Sequence, residues 1–305
     1  LVQELAELGS LGHGIWVTAR QENCFADFAP VLKRFLTLKR EWAHCVAPES
    51  QPYDANIDQF ERGTTMAMIT PIFDRLKQEL IPFINAIQDQ AHQPDTSFLQ
   101  GHFAIDRQES LARKISRDIG FDFEKGRMDV SVHPFCGGSH PTDVRITTRY
   151  KDTHFIDSLY AVIHETGHAL YEQGRPYAWG DVPAAESLTM GIHESQSLFW
   201  ERMIAQGKPF CAHYFSAIRE AFPDHLRNVT IDAFYRALNT CKPSFIRVEA
   251  DEVTYPLHII LRYEIERGLF DGTMQVDELP QIWNELMQQY LGITPPSDVL
   301  GVLQD

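Results

Sequence analysis

Two histidines four residues apart, with a glutamate beside the first, are the most chemically loaded stretch of the chain. His164-Glu165-Thr166-Gly167-His168 matches H-E-x-x-H. On a helix, residues four apart lie one turn above each other, so both imidazoles leave from one face and can take two corners of a tetrahedral Zn²⁺. Glu165 is rotated by about 100° from His164, which puts it beside such an ion rather than on it. That position suits a general base for a water activated by the metal. With 13 histidines in 305 residues, the bland alternative is an amphipathic core helix with two histidines on its wet side. A third protein ligand would decide between the two readings.

The flanking residues supply the helix. Ile156, Leu159, Ile163 and Leu170 recur at helical steps, and Gly174 offers a stop. Pro183 to Arg202 reads as the next helix, with Leu188, Ile192, Leu198 and Phe199 forming much of its apolar side. A carboxylate from this second helix would complete a His₂Glu site and leave the fourth position for water. Spacing alone does not choose among Glu186, His193, Glu194 and Glu201.

Upstream of the histidines the pattern changes from helical to alternating. Met128 to Pro134 and Val144 to Tyr150 are β-branched and alternate, with Gly137-Gly138-Ser139 as a turn region between them. They predict a small antiparallel sheet just before the metal helix. A strand there can offer unpaired backbone groups to an extended peptide.

Elsewhere helices dominate. Phe25 to Trp42 carries Phe28, Leu32 and Phe35 on one side, and 52–63 reads as a loop. Thr64 to Gln90 is a long amphipathic pattern that Pro82 should kink or split. Asp106 to Ile119, Phe210 to Phe222, Ile231 to Leu238 and Tyr255 to Arg267 follow, with Ile246 to Ala250 extended. Asp277 to Leu291 reads as a helix capped by Asp277 and stopped by Gly292.

The composition is globular, with 44% hydrophobic and 11% aromatic residues. A net charge of −15 argues against a nucleic-acid or anionic-membrane partner, because phosphates would be repelled. No apolar run reaches the roughly 18 residues of a membrane span. The five cysteines are scattered, with no C-x-x-C pair, which suggests neither a disulfide framework nor a thiolate metal site and suits a reducing cytoplasm. Cys136 reads as a buried structural thiol.

Several short motifs agree in order. His133-Pro134-Phe135, Asp143-x-Arg145-x-Thr147, His164-Glu-Thr-Gly-His168, His193-Glu194-Ser195, Ile246-Arg247-x-x-Ala250-Asp251 and Gly301-x-x-Gln304-Asp305 together resemble the carboxypeptidase Taq family of zinc metallocarboxypeptidases. The resemblance implies a mainly α, zincin-like helical fold with a deep groove and a small antiparallel sheet beside the zinc helix. It implies a zinc-dependent carboxypeptidase that removes C-terminal amino acids from peptides. Zn²⁺ would be held by His164, His168 and Glu194, with Co²⁺ as a substitute and Glu165 as general base. Arginine's planar fork suits a terminal carboxylate, and the family motifs make Arg247 the anchor, with Arg145 and His133 as further substrate-binding residues. Asp143, Glu249 and Asp251 would position the arginines. The implied partners are peptides with a free C-terminal carboxylate and a second copy in a homodimer. The final motif breaks off at Asp305, before an expected His-Trp. The expectation is therefore a single catalytic peptidase domain over 1–305 that lacks the family's C-terminal part, and an N-terminal part too if Leu1 stands where a longer chain was cut. A zinc oligopeptidase cutting internally and a truncated, non-catalytic metal-binding protein are the alternatives.

Overall fold

The structure, a computed structural model, describes residues 1–131 and 133–304. In chain order its helices are α1 (Val2–Glu22), α2 (Phe25–Val46), α3 (Pro52–Asp58), α4 (Met66–Gln88), α5 (Ile105–Asp118), α6 (Phe155–Gln173), α7 (Met190–Leu198), α8 (Lys208–Ala221), α9 (Pro223–Leu226), α10 (Ile231–Leu238), α11 (Tyr255–Asp271) and α12 (Leu279–Leu291). Three short strands, β1 (Gly126–Val130), β2 (Cys136–His140) and β3 (Asp143–Thr148), lie between α5 and α6. The chain divides into two compact units, residues 1–91 with 241–305 and residues 92–240.

The first unit is helical. Leu257, Ile260 and Leu261 of α11 and Trp283 and Met287 of α12 form its centre, with Ile84 of α4 and Phe25 and Ala29 of α2 against them. This burial explains two departures from the sequence pattern. Helix α4 runs unbroken through Pro71 and Pro82. A proline removes one backbone hydrogen bond, but Phe73, Leu76, Leu80 and Ile87 pack on the same core and hold the helix on both sides of Pro82. The expected loop at 52–63 contains α3, begun by Pro52, whose fixed φ favours a first helical turn. Tyr53 anchors it, buried, stacked on Phe270 at 5.3 Å and donating to Glu266 at 2.5 Å. Two boundaries also move. Helix α11 continues through Gly268 to a left-handed Gly272, and α12 is preceded by a Gln275–Glu278 capping box rather than an Asp277 cap.

The second unit is built around α6. Phe155, Leu159 and Ile163 face one core, with Phe103, Ile115, Phe222 and Phe234. Val162 and Ala169 face another, formed with Phe121 and with Met128, Val144 and Ile146 of the sheet. The sheet is not the antiparallel pair expected from the alternating pattern. Its order is β1-β3-β2, with β1 parallel to β3 and β2 antiparallel to β3. The glycines read as a turn form β2 instead, because an added Cβ on Gly138 would lie 2.2 Å from the Asp143 carbonyl oxygen and only a bare backbone fits. The reversal falls between His140 and Asp143. With one reversal before β2 and one after it, β1 and β3 must run the same way. Val132, inside the expected first strand, lies outside the described residues, as does Asp305.

Candidate metal centre

Helix α6 turns His164 and His168 toward α7, and the close approach of the two helices depends on Gly167. A Cβ there would sit 2.7 Å from the carbonyl oxygen of Gln196 and 2.7 Å from Cα of Ser197. The neighbouring Thr166 hydroxyl donates to Val162 O (2.7 Å) and lies 3.0 Å from the Ser116 hydroxyl of α5, which fixes the helix from behind. On the other side, Thr189 caps α7 by accepting from the Ile192 N–H.

The expected helix over 183–202 is shorter and turned differently. A 3-10 turn at Pro183–Ala185 and an extended stretch precede α7, and a π-helical segment, Phe199–Ala205, follows it. Leu188, Ile192 and Phe199 are 79%, 44% and 45% exposed, so the apolar residues do not form its buried side. Its polar edge faces α6 instead: Ser197 is fully buried, and Glu194 and Glu201 are both directed at the histidines. Wide π turns recur at functional sites, and here one carries Glu201 to His164.

Three of the four candidate ligands converge on the histidine pair, in three different roles. Glu194 meets the outer nitrogens: its Oε1 is 3.7 Å from His164 Nε2 and its Oε2 is 3.3 Å from His168 Nε2. Glu201 Oε2 accepts from His164 Nδ1 at 2.7 Å and is itself held by Arg202 Nε at 2.8 Å. His193 Nδ1 lies 2.6 Å from His168 Nδ1. Glu186 is exposed and joins none of them. Both imidazoles therefore have Nδ1 occupied and Nε2 turned to one carboxylate.

This donor set fits a divalent ion. Ligand atoms of His164, His168 and Glu194 lie within 4.8 Å of one another. Tetrahedral zinc with bonds of about 2.1 Å separates its ligand atoms by about 3.4 Å, and the contacts of Glu194 to the two Nε2 atoms, 3.7 and 3.3 Å, bracket that value. A divalent cation seated among two imidazole nitrogens and a carboxylate would be stabilised by all three.

Glu165 is 7% exposed. Burial disfavours its charge, His164 and His193 pull the other way, and the nearby Glu194 and Glu201 add to the effect of burial. The carboxyl is pushed from its ordinary 4.5 up to about 7. For His164, burial opposes a second proton, but the hydrogen bond and charge of Glu201 outweigh it and the pKa is raised. Cys136, in β2, is half-buried, and burial followed by the charges of Glu165 and Glu172 drives its thiol up to about 12.

The expected substrate-binding residues are placed as follows. Arg145 stands on the face of β3 opposite Val144 and Ile146, the residues packed on α6, and Asp143 grips its guanidinium through two bonds of 2.9 Å. His133 is exposed in the loop before β2, where its carbonyl accepts from the Ser131 hydroxyl. Arg247 belongs to the first unit. Its N–H donates to Gln304 Oε1 (3.2 Å) and its Nη1 reaches the Tyr255 hydroxyl (3.5 Å), so the two C-terminal motifs meet in space. Asp251 accepts from the Val253 and Thr254 N–H groups and the Thr254 hydroxyl at the start of α11. Sequence reading did not single out Glu172 and Arg175. Glu172 Oε1 lies 2.7 Å from His193 Nε2, and its Oε2 accepts from Arg175 at 2.6 Å. The signal was there, since Glu172 follows His168 by one helical turn.

Comparison with known proteins agrees with this geometry. The family described as carboxypeptidase Taq (M32) metallopeptidase matches residues 1–305. Carboxypeptidase 1 of Bacillus subtilis is 41% identical over 303 residues, covering 99% of this chain and 60% of that protein. Thermostable carboxypeptidase 1 of Thermus thermophilus is 38% identical, covering 100% of this chain and 61% of that one. A crystal structure of an M32 carboxypeptidase from Deinococcus radiodurans superposes with a TM-score of 0.96 at 39% identity, again covering 100% and 61%. The chain thus spans about three fifths of the length of these relatives. Taken with the mainly helical architecture, these matches show that the chain belongs to the carboxypeptidase Taq (M32) family of metallopeptidases.

Proposed function

We propose that this protein is a zinc-dependent metallocarboxypeptidase that releases C-terminal residues from peptides, with His164, His168 and Glu194 holding the ion and residues 1–305 acting as one catalytic domain. The observation that carries the reading is the pairing of two Nε2 atoms with the Glu194 carboxylate at 3.7 and 3.3 Å while each Nδ1 is already engaged. When bound, Zn²⁺ supplies Lewis-acid chemistry, acidifying water and polarising a carbonyl; the same donor set would accept Co²⁺ as a substitute.

The chain's own residues supply the rest. Glu165, a buried carboxyl on the helix turn that carries both histidines, is suited both to take a proton from the attacking water and to hand it to the departing amine. The reading assigns the substrate's terminal carboxylate to Arg247, with Arg145 and His133 along the bound peptide. Bidentate capture of Arg145 by Asp143 supports a fixed rather than a searching guanidinium. Strand β2 is an edge strand in the order β1-β3-β2, which favours an extended peptide beside it. Among the described residues no helix is long and apolar enough to cross a membrane. A cytoplasmic homodimer belongs to the same reading, and the five free cysteines suit that compartment.

The test is a time course of zinc-loaded protein on a free and a C-terminally amidated peptide, read by mass spectrometry. Stepwise loss of single C-terminal residues from the free peptide alone is expected. A single internal cut would mean an oligopeptidase, and zinc binding without cleavage a non-catalytic protein.

A further inference from the structure

The two candidate ligand histidines are backed differently. His164 Nδ1 faces Glu201, and a carboxylate only accepts, so that nitrogen carries the proton and leaves Nε2 bare. His168 Nδ1 faces another ring nitrogen, His193 Nδ1, at 2.6 Å. Two such nitrogens make a hydrogen bond only with one proton between them, and nothing in that pair alone says whose it is.

The far side of His193 decides. Its Nε2 lies 2.7 Å from Glu172 Oε1, an acceptor, and therefore bears the hydrogen. A neutral imidazole protonated at Nε2 has a bare Nδ1, so His168 Nδ1 must be the donor between the rings. His168 protonated at Nδ1 in turn turns a lone pair at Nε2 toward Glu194. The chain is anchored at its outer end: Arg175 Nη1 holds Glu172 Oε2 at 2.6 Å, and Arg175 Nε donates to Ala185 O at 2.7 Å. The ring of His193 is held between His168 and Tyr171, at centroid distances of 4.7 and 5.1 Å.

We propose that Arg175, Glu172 and His193 form a positioning relay that fixes the tautomer of His168, keeping its Nε2 free for a divalent metal. The inference rests on the metal-site reading above and adds residues that touch the ion at no point. It gives Glu172→Gln a specific consequence. Arg175, a donor, keeps the amide oxygen, which leaves the amide NH₂ facing His193 Nε2. A donor there inverts His193, which then donates from Nδ1 to His168 and moves the His168 proton onto Nε2, the metal-facing position.

Zn²⁺ affinity measured by competition with a chromogenic chelator tests this without any turnover. E172Q and H193L should each bind about 10- to 100-fold more weakly than wild type. H193N, whose side-chain oxygen replaces the lost acceptor, should recover most of the loss. Wild-type affinity in E172Q and H193L would overturn the relay, as would H193N binding no better than H193L. A second measurement needs no variant: ¹⁵N spectra of the metal-free protein at pH 8 should show the His168 proton on Nδ1, and a proton on Nε2 would refute the proposal. Failure of the wild type to bind zinc would sink the metal-site reading, while the tautomer would still judge the relay.

Discussion

Replacing Glu165 with glutamine should stabilise the metal-free protein, and by an amount that depends on pH in a defined window. Glu165 is 7% exposed, and burial, reinforced by Glu194 and Glu201, lifts the pKa of its carboxyl from 4.5 to about 7. A group whose folded pKa lies above its unfolded value contributes stability that is complete below the unfolded value and lost as pH rises through the folded one. Below about pH 4.5 the carboxyl is protonated in both states and glutamine changes little. Above about pH 7 the folded protein must carry a buried carboxylate that the unfolded chain carries in water. A shift of about 2.5 units corresponds to about 3 kcal/mol. Glutamine has the same shape and no charge, so E165Q escapes that cost. Urea unfolding of both proteins in EDTA, at pH 5, 6 and 8, should show their stability difference growing with pH by about this amount. Carboxylates remote from Glu165 titrate alike in both proteins and cancel in the difference. Saturating zinc should shrink it, since a nearby divalent cation favours the ionised form. A difference that is constant across the three pH values, or that favours the wild type as pH rises, would refute the placement of Glu165 as a desolvated carboxyl.

Gly167→Ala should separate α6 from α7, because its Cβ would meet backbone atoms of Gln196 and Ser197 at 2.7 Å. The expected cost is about 1–3 kcal/mol of overpacking, seen in thermal unfolding, together with weaker zinc binding as Glu194 is carried away from the imidazoles; unchanged zinc affinity would argue against the helix contact as the device that sets the site. Thiol labelling with iodoacetamide at pH 8 should modify exposed Cys45 well before Cys136, Cys211 and Cys241, whose thiols burial raises to about 12, 11 and 12. Peptide mapping that finds Cys136 labelled first would place it outside the half-buried position between the sheet and α6.

The metal face was legible because its pattern is local. Histidines four apart on an amphipathic helix must share a face whatever surrounds them, and the apolar positions Leu159 and Ile163 that signalled the helix are the ones that bury it. The helices expected over 210–222 and 231–238 survived for the same reason. What stayed hidden depends on contacts distant in sequence. Helix α7 and its two flanks expose Leu188, Ile192 and Phe199 and bury Ser197, a reversal of the usual polarity that follows from the polar face α6 presents to them. The parallel pairing of β1 with β3 depends on β2, which lies between them in sequence and pairs back on β3, and no alternation of side chains reports it. Choice among Glu186, His193, Glu194 and Glu201 needed the fold as well, because three of the four do approach the histidines and differ only in which nitrogen they meet.

The five residues from His164 to His168 are constrained on every side, and that is why the helix can hold a polar site without a polar core. Ile163 and Ala169, just outside the pentapeptide, are fully buried in two separate cores. Thr166 closes the rear against α5 through Ser116, Gly167 admits the backbone of α7, and Glu165 is buried. Rotation of α6 about its axis would therefore break apolar packing on two faces and the glycine contact on a third. The imidazoles inherit that rigidity, and the hydrogen bonds at their Nδ1 atoms remove the remaining ring freedom. Preorganisation of this kind matters most when ligand atoms must converge to within a few tenths of an ångström. It also ties the site to the fold in one direction: perturbing Thr166 or Gly167 should displace the metal-facing atoms, whereas removing the metal should leave both cores standing.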